Sequence, residues 1–143
     1  MTCIAWDGKT LASDKRVTEE GLARTVTKIR RINGLLVGAT GLTWAGREML
    51  AWVERGRKPE DFPASQRNKD DWAGTIVIEG THILTYDRGP YPIEIEDPTY
   101  AIGSGRDYAL AAMHCGKTAA EAVEIAALFE TGCGNGVDTL ELE

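Results

Sequence analysis

Thr2 is the residue whose position could do the most chemistry. A threonine in second place is small enough to permit removal of Met1. It would then carry its own base, because an α-amino group with a reference pKa of about 7.7–8.0 keeps an appreciable neutral fraction at neutral pH. Such a nucleophile still needs a cation to hold the amine neutral, a carboxylate to hold the cation, and N–H donors for the oxyanion. Asp14 is a candidate carboxylate. Residues 2–7 and 9–14 flank Asp7-Gly8, a tight-turn dipeptide. A two-residue loop there pairs Thr2 with Ser13 and a three-residue loop pairs it with Asp14, so either register leaves Asp14 within one step of the N-terminus. Lys28 is a candidate cation, since strict alternation puts it on a face with Val26 and Ile32. Taken alone, it is better read as an ordinary strand lysine beside Arg30 and Arg31.

Other reactive residues offer less. Gly103-Ser104-Gly105 opens a helix, but a dinucleotide loop would need its third glycine at Tyr108, so a strand-to-helix turn capped by Ser104 fits better. His114 and Cys115 are adjacent on an expected helix and point about 100° apart, which speaks against a Cys-His dyad. His82 lies near a turn with no acidic cluster beside it, and the three cysteines (Cys3, Cys115, Cys133) have no metal-ligand spacing. Neither a metal nor another cofactor is expected. Cys3 could act as a nucleophile only after loss of both Met1 and Thr2.

The elements that would position these groups are mostly strands. After the first hairpin, a polar stretch from Lys15 to Gly21 leads to a second one, Arg24–Ile32 and Leu35–Thr40 around Asn33-Gly34. Leu35–Ala39 is apolar on both faces, as in a strand covered on both sides. Beyond Gly41 the period becomes helical, with Leu42, Ala45, Met49, Trp52 and Val53 on one face and a stop at Gly56. Residues 57–71 form a charged surface loop. Strands resume at Gly74–Glu79, His82–Asp87, Ile93–Glu96 and Tyr100–Ile102. Two helices split at Gly116 follow, the first capped by Ser104 and the second by a Thr118/Glu121 capping box, before a last strand over Gly136–Leu142. Runs of strands followed by runs of helices describe an α+β fold with largely antiparallel sheets.

Length and composition agree. A chain of 143 residues suits one domain, and 43% apolar with 27% charged residues is globular. The net charge of −6 disfavours a nucleic-acid partner. No stretch approaches the roughly 20 apolar residues of a membrane span, no secretory signal is visible, and three scattered cysteines suit a reducing compartment, so the expected location is cytoplasmic.

The run Thr2–Asp14, then Thr18, Thr-Lys-Ile-Arg-Arg (27–31), Leu-Val-Gly-Ala-Thr-Gly (36–41) and Ala-Ile-Gly-Ser-Gly (101–105), resembles the proteasome β-subunit and HslV group of N-terminal nucleophile hydrolases. The resemblance implies a four-layer αββα sandwich and a threonine peptidase. It assigns Thr2 as nucleophile, Asp14 as carboxylate, Lys28 as cation, the N–H of Gly38 as oxyanion donor, Ser104 as supporting serine, and Thr18 as a residue that holds the substrate strand. The family's aspartate near the last strand falls on Asn135, with Asp138 three residues on. The chain stops soon after that strand, without the family's C-terminal extension, and has no propeptide beyond Met1. The partners implied are a peptide or unfolded protein substrate, further copies in a homo-oligomeric ring, and an ATP-driven unfoldase. The alternative is a non-catalytic subunit that keeps the fold and self-assembly.

Overall fold

The computed structural model describes residues 1–41, 43–67 and 73–142. The placement expected for Leu42, and the end of the 57–71 loop, lie outside the described residues. The elements are β1 (Ile4–Trp6), β2 (Thr10–Asp14), β3 (Arg16–Glu19), β4 (Leu22–Thr25), β5 (Ile29–Ile32), β6 (Leu35–Ala39), α1 (Thr43–Glu54), β7 (Thr75–Glu79), β8 (His82–Tyr86), β9 (Ile93–Ile95), β10 (Tyr100–Ile102), α2 (Arg106–His114), α3 (Ala119–Phe129) and β11 (Val137–Glu141). One sheet has the order β10-β1-β2-β11 and the other β5-β6-β7-β8-β9, both antiparallel, with β3-β4 as a separate ribbon.

Three buried layers hold the sheets and helices together. Between the sheets lie Ile4, Trp6, Leu11, Ile29, Leu36, Ile76, Ile78 and Ile83. Outside the second sheet, α1 contributes Met49, Leu50, Trp52 and Val53 against Ile32, Val37 and Val77. The alternation of β6 explains this: Leu36 faces the inter-sheet layer while Leu35 and Val37 face α1. Outside the first sheet, α2 and α3 pack through Ala109, Ala112, Ala119, Ala122 and Ala126 onto Cys3, Ala5 and Ala12. So many short side chains let these helices lie close to β1 and β2, the strands that carry the site. The stack α2/α3, sheet, sheet, α1 is the expected αββα sandwich.

Two local expectations need correction. The first hairpin turns at Gly8-Lys9, because the Asp7 carboxylate accepts the amides of Lys9 and Thr10 at 2.9 and 2.8 Å. The register becomes Ile4↔Ser13 and Trp6↔Leu11, which places Asp14 opposite Cys3, neither of the two registers derived above. Arg24–Ile32 is not one strand either. Glu20 and Gly21 both take positive φ (48° and 82°) and close a hairpin inside the polar stretch, so β4 pairs back on β3 and β5 restarts at Ile29. That ribbon carries mostly polar side chains and leaves no apolar alternation to betray it. The 57–71 loop contains two short 3₁₀ turns, Pro59–Asp61 and Ala64–Arg67. No helix among the described residues is long and apolar enough to cross a membrane.

Candidate active site around Thr2

Thr2 enters β1 from the open end of the sandwich and is buried. Its carbonyl accepts the N–H of Gly105 at 3.1 Å, and its own nitrogen donates to Ser104 Oγ at 3.2 Å. The Gly-Ser-Gly turn is built for this contact. Gly103 has φ +99°, and a Cβ there would lie 2.1 Å from the Thr2 carbonyl oxygen; a Cβ on Gly105 would lie 2.9 Å from that of Cys3. Ser104 therefore does not cap α2 as expected: the N-cap is Gly105, without a side-chain bond. The turn is spent on Thr2. The Thr118/Glu121 capping box forms in full, and Asp7 Oδ2 accepts the amide of Ala119 at 2.8 Å.

Asp14 is fully buried, at the end of β2. Each carboxylate oxygen accepts two donors: Oδ1 the N–H of Cys3 at 3.0 Å and Lys28 Nζ at 2.9 Å, Oδ2 the N–H groups of Arg16 and Gly134, both at 3.1 Å. Such a buried carboxylate is saturated, which is the condition for keeping it charged out of water. The Lys28 side chain, 9% exposed, uses all three of its protons: Asp14 Oδ1, Thr2 Oγ at 3.1 Å and Met1 O at 3.2 Å. Lys28 lies just outside β5, at the residue before Ile29, and not in a strictly alternating strand. One ammonium thus bridges the hydroxyl of Thr2 and a buried carboxylate.

A cavity of about 930 Å³ opens beside Thr2, with Thr18 from β3, Thr40 and Gly41 from the β6–α1 turn, and Leu50 from α1 among its walls. Gly38 is not at that wall. It lies inside β6 between Ile29 and Ile76, and a Cβ there would meet Ile29 Cγ2 and Ile4 Cδ1 at 2.9 Å. Its lack of a side chain serves the approach of the two sheets, so the oxyanion assignment to Gly38 fails on position. Gly41, φ +97°, and Gly46 are the glycines that line the cavity; Gly41 stands in the β6–α1 turn, and the turn-forming Thr-Gly before a helical period was the available signal.

Asn135 and Asp138 are held elsewhere. Asn135 Oδ1 accepts Arg16 Nε at 2.9 Å and its Nδ2 donates to Thr25 Oγ1 at 3.0 Å. Asp138 pairs with Lys15 Nζ at 2.8 Å. Neither touches Thr2. Cys3 and Cys133 are buried, and burial pushes their thiols up to about 12 and about 11, helped by Cys133 and Asp14 at Cys3 and by Asp14 and Glu130 at Cys133. A neutral, enclosed Cys3 is no nucleophile.

No family model matches this sequence, and no curated protein matches it. Solved structures do. A Thiobacillus denitrificans BPH in complex with epoxomicin superposes with a TM-score of 0.72 at 18% identity, covering 100% of both chains. The eukaryotic HslV from Trypanosoma brucei gives 0.74 at 23% identity over 99% of this chain and 98% of that one. An Anbu (Gly-1) mutant from Hyphomicrobium sp. strain MC1 gives 0.75 at 13% identity, over 100% of this chain and 82% of that one. Likeness at this level over the whole of both chains shows that the chain has the proteasome/HslV-type N-terminal nucleophile hydrolase fold.

Proposed function

We propose that the chain is a single-domain, cytoplasmic threonine peptidase that acts through Thr2 after Met1 is removed. The observation that carries this reading is the Lys28 ammonium, 3.1 Å from Thr2 Oγ and 2.9 Å from the buried Asp14 carboxylate, at the mouth of a cavity. With Met1 gone, the nitrogen that donates to Ser104 becomes a primary amine. Lys28, charged through Asp14, disfavours protonation of that amine and stabilises negative charge on Oγ. Thr2 Oγ attacks the peptide carbonyl while its proton passes to the amine. The oxyanion meets the N–H of Gly41, at the head of the turn into α1. The amine then protonates the leaving nitrogen, the C–N bond breaks, and an ester on Thr2 remains. Water, deprotonated by the same amine, releases the acyl group. Thr18, on the cavity wall, pairs with the extended substrate backbone.

The test is the intact mass of the untagged protein before and after incubation with epoxomicin, the ligand of the Thiobacillus BPH structure. Loss of Met1 with one adduct per chain, absent in Thr2→Ala, is the expected result. Loss of Met1 without adduct refutes the reading. A second reading, a non-catalytic subunit, draws on Asn135 and Asp138 being engaged with Arg16 and Lys15; Met1 retained with no adduct selects it. Both readings take the chain to be part of a homo-oligomeric ring, the peptidase with an ATP-driven unfoldase feeding it unfolded protein. A solution mass equal to one chain refutes the ring.

A further inference from the structure

The cavity beside Thr2 has an unusual charge for a chain of net −6: four cations, Arg16, Lys28, Arg30 and Arg47, and not one carboxylate. Two of the four are committed. Lys28 is held by Asp14, and Arg16 gives Nε to Asn135 Oδ1 and Nη1 to Thr131 O at 2.8 Å. Arg30 and Arg47 have no ion-pair partner among the described residues.

Their positions suit a substrate side chain. Arg30 shares a face of β5 with Ile32, the face that α1 covers, and Arg47 stands on α1 one turn before Leu50 and Ala51. Two residues of extended chain, about 6.6 Å, separate the backbone of Arg30 from that of Lys28, which bonds the nucleophile. Arg30 and Arg47 thus line the same cavity as Thr2 and Lys28, a short way along its wall from the nucleophile. Val26, Ala39 and Leu50 supply apolar wall between. A pocket with apolar sides and two unpaired guanidinium groups fits a methylene stem ending in a carboxylate, which an arginine grips with two parallel hydrogen bonds.

We infer that this cavity selects peptides with an acidic side chain, glutamate before aspartate, at the residue whose carbonyl Thr2 attacks, with Arg30 and Arg47 as the specificity determinants. The inference rests on the peptidase reading for the cleavage step but not for the binding step, and the two are measured apart. For cleavage, the Met1-processed full chain is given fluorogenic peptides that differ only in Glu, Gln, Tyr or Arg before the scissile bond. Glu is expected to exceed its neutral isostere Gln at least tenfold in kcat/KM in low salt. The ratio should shrink several-fold in 0.5 M salt, and collapse toward one in Arg30→Gln/Arg47→Gln. For binding, Thr2→Ala is titrated with fluorescein-labelled Glu and Gln peptide amides, and the Glu peptide is expected to bind at least tenfold tighter. Cleavage without a Glu preference overturns the acidic pocket and leaves the peptidase standing. Binding preference without cleavage or epoxomicin adduct does the reverse. Indifference in both assays, or a preference that survives loss of both arginines, overturns the proposal.

Discussion

Replacing Asp14 by asparagine should cost the chain far more than replacing its partner Lys28 by methionine, although the two form one ion pair. Asp14 accepts four hydrogen bonds, two on each oxygen, and is fully buried. Asparagine is nearly isosteric, but its amide nitrogen must face one of those donor pairs. In one orientation it confronts the N–H groups of Arg16 and Gly134, in the other Cys3 N–H and the Lys28 ammonium. Either way two hydrogen bonds to a charged acceptor become donor-donor contacts, and at about 1.5–3 kcal/mol each the loss is about 3–6 kcal/mol. Against a total of about 5–15 kcal/mol this leaves a barely folded chain. Lys28→Met removes one of the four donors to Asp14, which keeps three backbone N–H partners beside an open cavity, so the loss of one hydrogen bond to a charged group, about 1.5–3 kcal/mol, is expected. Urea unfolding followed by circular dichroism gives both numbers, and in a heat scan the asparagine variant should melt about 12 °C or more below wild type. Asp14→Asn within 1 kcal/mol of wild type, or Lys28→Met the worse of the two, would refute the assignment of Asp14 as the anchor that joins β1, β2 and the 134 loop.

Gly103→Ala should abolish epoxomicin labelling and lower stability by several kcal/mol, since φ is +99° and its Cβ would lie 2.1 Å from the Thr2 carbonyl oxygen; a labelled, stable variant contradicts the packing of that turn on Thr2. Of the three thiols, a chromogenic disulfide reagent at pH 8 should titrate only Cys115 in the native protein and all three in urea. The folded thiols of Cys3 and Cys133 lie at about 12 and about 11, above the unfolded value of 9.0. As pH rises the unfolded chain therefore loses protons first. Stability from this source is complete below pH 9 and is lost between pH 9 and about 12, at pH 10 about 1 kcal/mol per thiol. Urea midpoints at pH 8 and 10 should move apart in wild type and much less in Cys3→Ala/Cys133→Ala; equal losses reject the thiols as the cause. Trp52→Ala should cost about 3–5 kcal/mol, because the ring is fully buried, stacks edge-on against Phe62 and Tyr86, and donates to Lys58 O at 2.8 Å; a loss under 1 kcal/mol in urea would contradict the α1 layer.

What the sequence disclosed of this site depended on how local the cause was. Asn33-Gly34 and Gly80-Thr81 close two-residue hairpins as their φ preferences demand, and the periodic face of α1 is buried at Ala45, Met49, Trp52 and Val53. The Asp7 turn failed by one residue because its carboxylate competes for the loop amides, a contact that spacing does not encode. Asp14 still arrived within a step of Thr2, since a two-stranded hairpin cannot slip further without exposing Leu11. The cap expected of Ser104 and the oxyanion role that the resemblance implies for Gly38 give way for a common reason: each residue is engaged by a segment far away in sequence, Ser104 by Thr2 and Gly38 by Ile4 across the sheet interface.

The same distinction explains why the charge of the cavity could not be seen in advance. Arg30 sits in a run of Lys-Ile-Arg-Arg, where any one cation looks like a solvated strand face, and Arg47 lies off the buried face of α1. Seventeen residues and a hairpin separate them, and only the packing of α1 over β5 and β6 turns two surface charges toward one opening. Nothing in that packing requires arginine. The apolar face of α1 is complete without residue 47, and β5 buries Ile29 and Ile32 whatever stands at residue 30. The fold tolerates these cations without needing them, and two unpaired guanidinium groups lining one cavity repel. That cost has a physical return only if an anion enters between them, which is why exchanging both arginines for glutamine should raise stability slightly in low salt while it erases the preference for glutamate over glutamine. Urea midpoints of the double variant at or above wild type, together with that loss of discrimination, are the expected pair of results. A double variant that is less stable would make the arginines part of the scaffold and remove the reason to read them as a site.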